Sequence, residues 1–421
     1  MLKITWKQDL KWEVVISGSK NAILPVLWAS LLLKWKVKLR QVPKIWDIFT
    51  FLGIIEKVWV KYKFSKDNKW EYLEIDSSDL KYKKLDFEEI EKIRWSVLLL
   101  SPFLYFFWKI DIPFPWWCLL WKRPIEAHIN WLKSIWYKIK QSKQKISLRW
   151  KTSSWDIVLD ACFWVTPTEN LLIANVLREW ITTIKCCAIE PHVINLIDFL
   201  RKAWAIIKIK YNHTIIIQGV KKLKNDFDFK IISDYIESWT YMIIAALCSK
   251  EYLTIKNARI NDLYVFIQKM KEAWVKFRHI WNDTMRVYRA DKLENISIQT
   301  NIFPWFPTDL QSPFAVLMTQ AKWINKIHEV LFESRLNFLV ELEKMWANIA
   351  IQNPHEWLIF GKSLLRWTDV TSWDLRAWAA MIVAWLIASG VTTVTNVEYI
   401  YRWYENFVEK LKNLGANIEK V

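Results

Sequence analysis

The ten residues LKNLGANIEK (411–420) read as the tail of an amphipathic helix, a single glycine, and the first alternating positions of a strand. The residue after a helix often turns left-handed, a conformation that costs a side-chain-bearing residue about 1–2 kcal/mol and glycine almost nothing. The same frame occurs five more times: IEKVWVKYKF around Trp59, LKSIWYKIKQ around Trp136, LRKAWAIIKI around Trp204, MKEAWVKFRH around Trp274 and LEKMWANIAI around Trp346. Five copies carry tryptophan where the sixth carries Gly415. A second series, at Trp35, Trp108, Trp180, Glu251, Trp323 and Gly390, also follows an apolar helix and precedes a strand.

The six stops recur about every 70 residues, too long for one unit of a solenoid. That period suits a βαβαββ supersecondary unit used six times, three per lobe. The expected class is therefore α/β, in two similar lobes.

The stops also explain an odd composition. Glycine at a usual share of about 7% would number roughly 30 here, yet the chain has 6 Gly and 31 Trp. Tryptophan cannot cheaply supply positive φ. Most of these tryptophans are read as glycine positions: a UGA codon that the source reads as glycine, translated as tryptophan, gives this pattern.

Charged residues at 24% and hydrophobic residues at 53% fit an ordinary globular chain, large enough at 421 residues for two cores. The net charge of +17 raises the question of a nucleic-acid partner, but the lysines are spread along the chain and not gathered in a patch. They equally suit phosphorylated substrates. Cys118, Cys162, Cys186, Cys187 and Cys248 show no metal-ligand spacing and no disulfide framework. The start MLKITWKQDL is strand-like and not a signal peptide, and no charge-free apolar run reaches the ~20 residues of a membrane span. A reduced, cytoplasmic protein is expected, with no metal and no organic cofactor.

Several stretches carry chemistry. FPWWCLLWKRPIEAH (114–128), read with glycine for Trp116, Trp117 and Trp121, is a flexible loop that presents one thiol beside Lys122 and Arg123, cations that favour a thiolate. SGSKNAILP places Lys20 and Asn21 at a helix entrance, where backbone N–H groups and a cation can meet an anion. FPWFPTDLQSPF (303–314) holds Asp309 in a rigid Pro-Thr-Asp turn, where an Asp is usually a helix cap but a carboxylate can also serve as a general base. Together these stretches resemble the UDP-N-acetylglucosamine 1-carboxyvinyltransferase family, and the resemblance runs along nearly the whole chain.

The resemblance implies the enolpyruvyl transferase fold, a two-lobed inside-out α/β barrel of six βαβαββ repeats with helices inside and sheets outside. Residues 20–232 would form the lobe with the cysteine loop, residues 1–19 and 233–421 the other, and the active site would lie in the cleft. It implies Cys118 and Asp309 as catalytic residues. Phosphoenolpyruvate would be held by Lys20, Asn21, Arg94, Arg123, Arg376 and Arg402. UDP-N-acetylglucosamine would meet Arg94, Arg123, Pro124, Ile125, Glu126, His128, Val165, Asp309, Leu331, Phe332 and Arg335. Glu190, Asp234, Glu237, Asp374 and Leu375 would support them. Three departures stand out: a lysine frequent in the uridine diphosphate segment is replaced by Ala161 or Cys162, His192 replaces an acid, and Tyr401 replaces the acid before Arg402.

The implied reaction joins phosphoenolpyruvate to the 3-hydroxyl of UDP-N-acetylglucosamine with release of phosphate, the first committed step of peptidoglycan precursor synthesis and the target of fosfomycin. Asp309 would take the hydroxyl proton and Cys118 would supply one to the methylene carbon. Three other readings compete. A shikimate-3-phosphate enzyme of the same fold is disfavoured by the cysteine loop and the FPTDLQ turn. An RNA 3′-phosphate cyclase relative predicts salt-sensitive RNA binding. A non-catalytic paralogue that only binds the sugar nucleotide is disfavoured by the joint presence of Lys20, Cys118, Asp309 and Arg402.

Overall fold

Inner strands of the fold bury alternate residues, and helices at the centre bury nearly all of theirs. Strand Lys36–Arg40 turns Val37 and Leu39 inward, and Tyr252–Lys256 does the same with Leu253 and Ile255. Every residue of helix α1 (Lys20–Ser30) is buried. Helices that are apolar on all sides have no surface face and sit in the core, while strands apolar on one face cover it. The computed structural model describes residues 2–5, 8–68, 70–84, 90, 94–113, 133, 137–141, 145–150, 156–332, 335–368, 375–394 and 397–420. The chain divides into two units, Gly18–Ile232 and Met1–Ser17 with Ser233–Val421.

In Gly18–Ile232 the described helices, after α1, are α2 (Trp46–Glu56), α3 (Leu100–Phe107), α4 (Val165–Asn175) and α5 (Pro191–Lys202). One sheet shows the repeat clearly. Strand Ile157–Asp160 leads through α4 to the parallel strand Ile181–Lys185; α5 then leads to the hairpin Ile206–Lys210 and Thr214–Gln218, whose second strand pairs antiparallel with Ile181–Lys185. Asp228–Lys230, Lys36–Arg40, Glu71–Asp76 and Lys61–Lys66 build the same order. In the third sheet Lys145–Trp150 lies between Lys109–Pro113 and Tyr137–Gln141.

The other unit contains α6 (Tyr235–Cys248), α7 (Tyr264–Glu272), α8 (Gln311–Thr319), α9 (Phe338–Lys344), α10 (Leu375–Ile387) and α11 (Phe407–Asn413). Its sheets follow the same plan. Glu13–Val15 is parallel to Tyr252–Lys256, and Ser297–Thr300 is parallel to Ile324–Glu329, each continued by an antiparallel hairpin. In the third, Leu2–Thr5 lies between Val391–Val394 and Ile418–Lys420, so the first strand of the chain closes the last repeat. Among the described residues there are six sheets, three to a unit, around buried helices, the plan that a six-fold βαβαββ repeat requires.

The helix stops have the geometry that the repeat requires. Trp59, Trp204, Trp274, Trp346 and Gly415 have φ of 65°, 71°, 63°, 72° and 92°. At Trp204 the N–H bonds to Arg201 O at 2.9 Å and that of Ala205 to Leu200 O at 2.9 Å; at Gly415 the equivalent bonds are 2.8 and 2.9 Å. This is the Schellman motif, and all five share it. Trp136 lies outside the described residues.

The second series divides. Trp108, Trp323 and Gly390 are left-handed at 62°, 55° and 106°, but near Trp35 the left-handed residue is Lys34 at 51°. Trp180 and Glu251 do not turn left-handed. Before Glu251 the chain leaves α6 through an extended Ser249 that bridges to Leu10, so no reversal is needed there. Gly18, between the two units in sequence, has a different reason to be glycine: a Cβ there would lie 1.8 Å from Gln41 O.

Candidate active site

Helix α1 begins at Lys20 itself, so Lys20 and Asn21 occupy its first turn. The Lys20 ammonium lies 2.5 Å from the carboxylate of Asp47, with 3% and 2% of the side chains exposed. Asp47 sits in the first turn of α2, where the helix dipole also favours its charge. The pair therefore fixes a buried cation at a helix N-terminus without leaving an uncompensated charge. Arg94 opens a short 3₁₀ turn, Arg94–Leu99, that runs into α3.

Helix α4 starts at Val165, which is half-buried. Thr168, Glu169 and Asn170 are wholly buried in its first turns. The Thr168 hydroxyl accepts the N–H of Ala188 at 3.0 Å, tying α4 to the segment before Glu190. The Asn170 amide donates to Val97 O at 2.9 Å, and Ser101 Oγ donates to Asn170 O at 2.8 Å, tying α4 to α3. Both carboxyl oxygens of Glu169 are buried, with no hydrogen-bond partner among the described residues. Burial first, and then the charge of Glu190, push its carboxyl well above the usual range. Glu190 is the N-cap residue of α5, and His192 is buried in that helix. Cys162, near the place of the missing lysine, is exposed.

In the other unit Asp234 caps α6 by accepting the N–H groups of Ile236 and Glu237 at 2.8 and 3.2 Å. Glu237 accepts the N–H of Ser17 at 2.8 Å and the Lys410 ammonium at 2.6 Å; Lys410 also donates to Ser17 Oγ at 2.6 Å. Asp309 lies on the 3₁₀ turn Thr308–Leu310, just ahead of α8. Its carboxylate pairs with Arg335, whose side chain is 2% exposed against 21% for Asp309. The Arg335 guanidinium carbon lies 5.0 Å from the centre of the Phe332 ring. The structure thus brings together Asp309, Phe332 and Arg335, and Leu331 stands next in sequence.

Two neighbours join this cluster that the sequence reading does not name. Glu329 is wholly buried; its carboxylate accepts Thr308 Oγ1 at 2.6 Å and the N–H groups of Leu331 and Phe332 at 2.9 and 3.1 Å. Tyr404 is buried and shares a 3.0 Å hydrogen bond with Thr240. Burial raises its phenol, and the charges of Asp234, Glu237 and Asp309 add to that. Asp47 and Tyr404 have no local motif, because each finds its partner far along the chain, and Glu329 joins the cluster through Thr308, 21 residues away. Arg402 closes the 3₁₀ turn Val397–Arg402 and is half-buried. Leu375 and Arg376 open α10. Cys118, Arg123, Pro124, Ile125, Glu126, His128 and Asp374 lie outside the described residues. Among those described, no helix is long and apolar enough to cross a membrane.

The chain is 34% identical to a UDP-N-acetylglucosamine 1-carboxyvinyltransferase from Finegoldia magna, over 100% of this chain and 99% of that protein. Proteins of the same name from Wolbachia sp. subsp. Brugia malayi and Prochlorococcus marinus are 35% and 36% identical, over 98% and 100% of this chain and 97% and 91% of theirs. The chain belongs to the UDP-N-acetylglucosamine 1-carboxyvinyltransferase family. The model of the related EPSP synthase (3-phosphoshikimate 1-carboxyvinyltransferase) family matches residues 4–411. Among solved structures, the enolpyruvyl transferase NikO from Streptomyces tendae superposes with a TM-score of 0.88 at 21% identity, covering 99% of this chain and 98% of NikO. An EPSP synthase from Acinetobacter baumannii gives 0.76 at 15% identity, covering 99% of each chain. At such identities these two speak for the fold. The family name comes from the closer relatives.

Proposed function

We infer that this chain is a working carboxyvinyltransferase of its family, moving the enolpyruvyl group of phosphoenolpyruvate to the 3-hydroxyl of UDP-N-acetylglucosamine and releasing phosphate. The observation that carries this reading is the whole-length similarity, at 32–36% identity, to relatives that bear that name. The reaction would serve peptidoglycan precursor synthesis in the cytoplasm, with two small molecules as substrates and neither nucleic acid nor membrane as partner.

The chemistry asks for cations, a base and an acid. Lys20, Arg94, Arg123, Arg376 and Arg402 supply positive charge for the phosphate and carboxylate of phosphoenolpyruvate, Arg through paired N–H donors. Asn21 adds an amide. Asp309 is the base for the sugar hydroxyl. Its pairing with Arg335 orients it, and its carboxylate is part-exposed. Cys118 is the acid that protonates the methylene carbon, with Lys122 and Arg123 close in sequence to set its proton affinity. As the methylene carbon is protonated, positive charge develops at the central carbon, where nearby carboxylates stabilise it until the hydroxyl oxygen bonds. Loss of phosphate and of one methyl proton from that adduct then restores the carbon–carbon double bond. Leu331, Phe332, Arg335, Val165 and the segment Arg123–His128 hold the sugar nucleotide, with Glu190, Asp234, Glu237, Asp374 and Leu375 in support.

The test is phosphate release by protein made with glycine at the UGA-encoded positions. Release that depends on both phosphoenolpyruvate and UDP-N-acetylglucosamine is expected. Release with shikimate 3-phosphate in place of the sugar nucleotide would overturn the assignment in favour of the other branch. Sugar-nucleotide binding without turnover would leave a binding protein.

A further inference from the structure

The turn that carries Asp309 and the segment that carries Leu331, Phe332 and Arg335 are joined twice. One tie is the Asp309–Arg335 ion pair, which involves two groups that the reaction itself would engage. The other runs through Glu329, the last residue of strand Ile324–Glu329. One carboxylate oxygen of Glu329 accepts the Thr308 hydroxyl at 2.6 Å; the other accepts the backbone N–H groups of Leu331 and Phe332 at 2.9 and 3.1 Å. All three donors are neutral, so the buried charge is held by dipoles fixed to the two segments it connects.

Glu329 is itself anchored from outside the pair. Its N–H donates to His355 O at 2.8 Å, and its carbonyl lies 2.7 Å from His355 Nδ1. Thr300 Oγ1, on the parallel neighbouring strand, accepts the N–H of Val330 at 3.3 Å. The sheet thus fixes where the Glu329 carboxylate stands, and the carboxylate fixes both segments. A proton arriving at Asp309 would weaken its pair with Arg335, but nothing in that step touches the Glu329 tie.

We propose that Glu329 is a positioning residue for the transfer reaction, holding the Asp309 turn in register with the Leu331–Phe332 segment through catalysis. The inference rests on the function proposed above. Misplacing a reacting group by about 1 Å can cost about a hundredfold in rate. Glu329→Ala removes all three bonds, and kcat should fall by about that factor, while KM for phosphoenolpyruvate stays nearly unchanged. Glu329→Gln can still accept from the two N–H groups and donate to Thr308 Oγ1, so it should restore most of the lost rate. Thr308→Val removes one tie at nearly constant volume and should lower kcat in the same direction.

The experiment measures phosphate release for the unsubstituted protein, the three single variants and the Thr308→Val/Glu329→Ala pair, with melting temperatures alongside. Glu329 and Thr308 acting as one device predicts strong non-additivity in kcat and rescue by glutamine. Additive effects, or Glu329→Ala with unchanged kcat, would overturn the proposal while leaving the proposed function intact. If Glu329→Ala fails to fold, Thr308→Val alone decides: unchanged kcat overturns the proposal. No release by the unsubstituted protein would overturn both readings.

Discussion

At Trp59, Trp204, Trp274 and Trp346 the usual order of alanine and glycine should reverse. In a helix interior alanine is the more stabilising of the two by about 1 kcal/mol. These four residues have φ between 63° and 72° and each closes a Schellman motif, so their backbone cannot relax without breaking two hydrogen bonds. Replacing each tryptophan separately by glycine and by alanine removes the same indole and its cation contacts, such as Arg366 against Trp346 at 4.3 Å. The pair of variants then differs only in the backbone. A left-handed L-residue costs about 1–2 kcal/mol. Glycine gives back about 0.5–1 kcal/mol in unfolded-state entropy. Glycine should therefore exceed alanine by about 0.5–1 kcal/mol at each site. With a urea slope of about 2–3 kcal/mol per molar, that is a midpoint difference of about 0.3 M. Far-UV circular dichroism is the appropriate probe, because tryptophan fluorescence changes with the substitution itself. Gly415→Ala provides the control at the sixth stop, where a Cβ would meet nothing within 4 Å and only the backbone cost remains. Alanine equal to or better than glycine at all four positions, with Gly415→Ala neutral, would refute the claim that these sites call for glycine.

Three further outcomes follow from the buried charges and the thiol. Lys20→Met removes the cation that faces the buried Asp47 carboxylate and should cost about 3–5 kcal/mol; Lys20→Met with Asp47→Leu should recover the melting temperature but not phosphate release, and an unaltered melting temperature for the single variant would argue against the pair. Glu169 has a raised carboxyl, so above the ordinary value of 4.5 the folded state keeps a proton that the unfolded chain has released. Its contribution to stability then falls as pH rises. Glu169→Gln should gain on the unsubstituted protein between pH ~4 and pH ~8, and a melting-temperature difference that does not change with pH would refute this. Cys118→Ala should abolish alkylation by fosfomycin, read by intact mass; labelling that persists would remove Cys118 from its assigned role.

What the sequence shows of this fold is set by how locally each feature is determined. A Schellman stop is written within six residues, so the tails ending at Trp59, Trp204, Trp274, Trp346 and Gly415 are legible one by one, and their period gives the six-fold plan. Trp35, Trp180 and Glu251 look similar in sequence but do not turn left-handed, because Lys34 takes the turn in one case and the bridge between Leu10 and Ser249 ends the helix in another. The cluster of Asp309, Phe332 and Arg335 is foreshadowed by two motifs, while the bond that organises it, Thr308 to Glu329, spans 21 residues and leaves no local signature. Asp47 is hidden for the same reason: nothing near it in sequence announces Lys20.

The positions of the candidate residues within the repeats give them a common physical origin. Lys20, Val165, Asp234, Asp309 and Arg376 each stand at or just before the N-terminus of the first helix of a repeat, and Arg94 opens the turn that enters α3. Asp47, Glu190, Arg335 and Arg402 stand at or before the second helix. These are all βα junctions, where strands end and helix N–H groups are exposed, and in α/β folds that edge is where ligands bind. The anionic groups of both proposed substrates match the positive end of the helix dipole, and the repeat supplies that end twice per copy. In the unit containing Ser233–Val421, Tyr404 interacts electrostatically with Asp234, Glu237 and Asp309, so junctions from three different repeats meet there. A six-fold architecture with buried helices thus offers many equivalent anion-facing junctions. Long-range ties such as Lys20 to Asp47 and Thr308 to Glu329 then give individual junctions their chemistry.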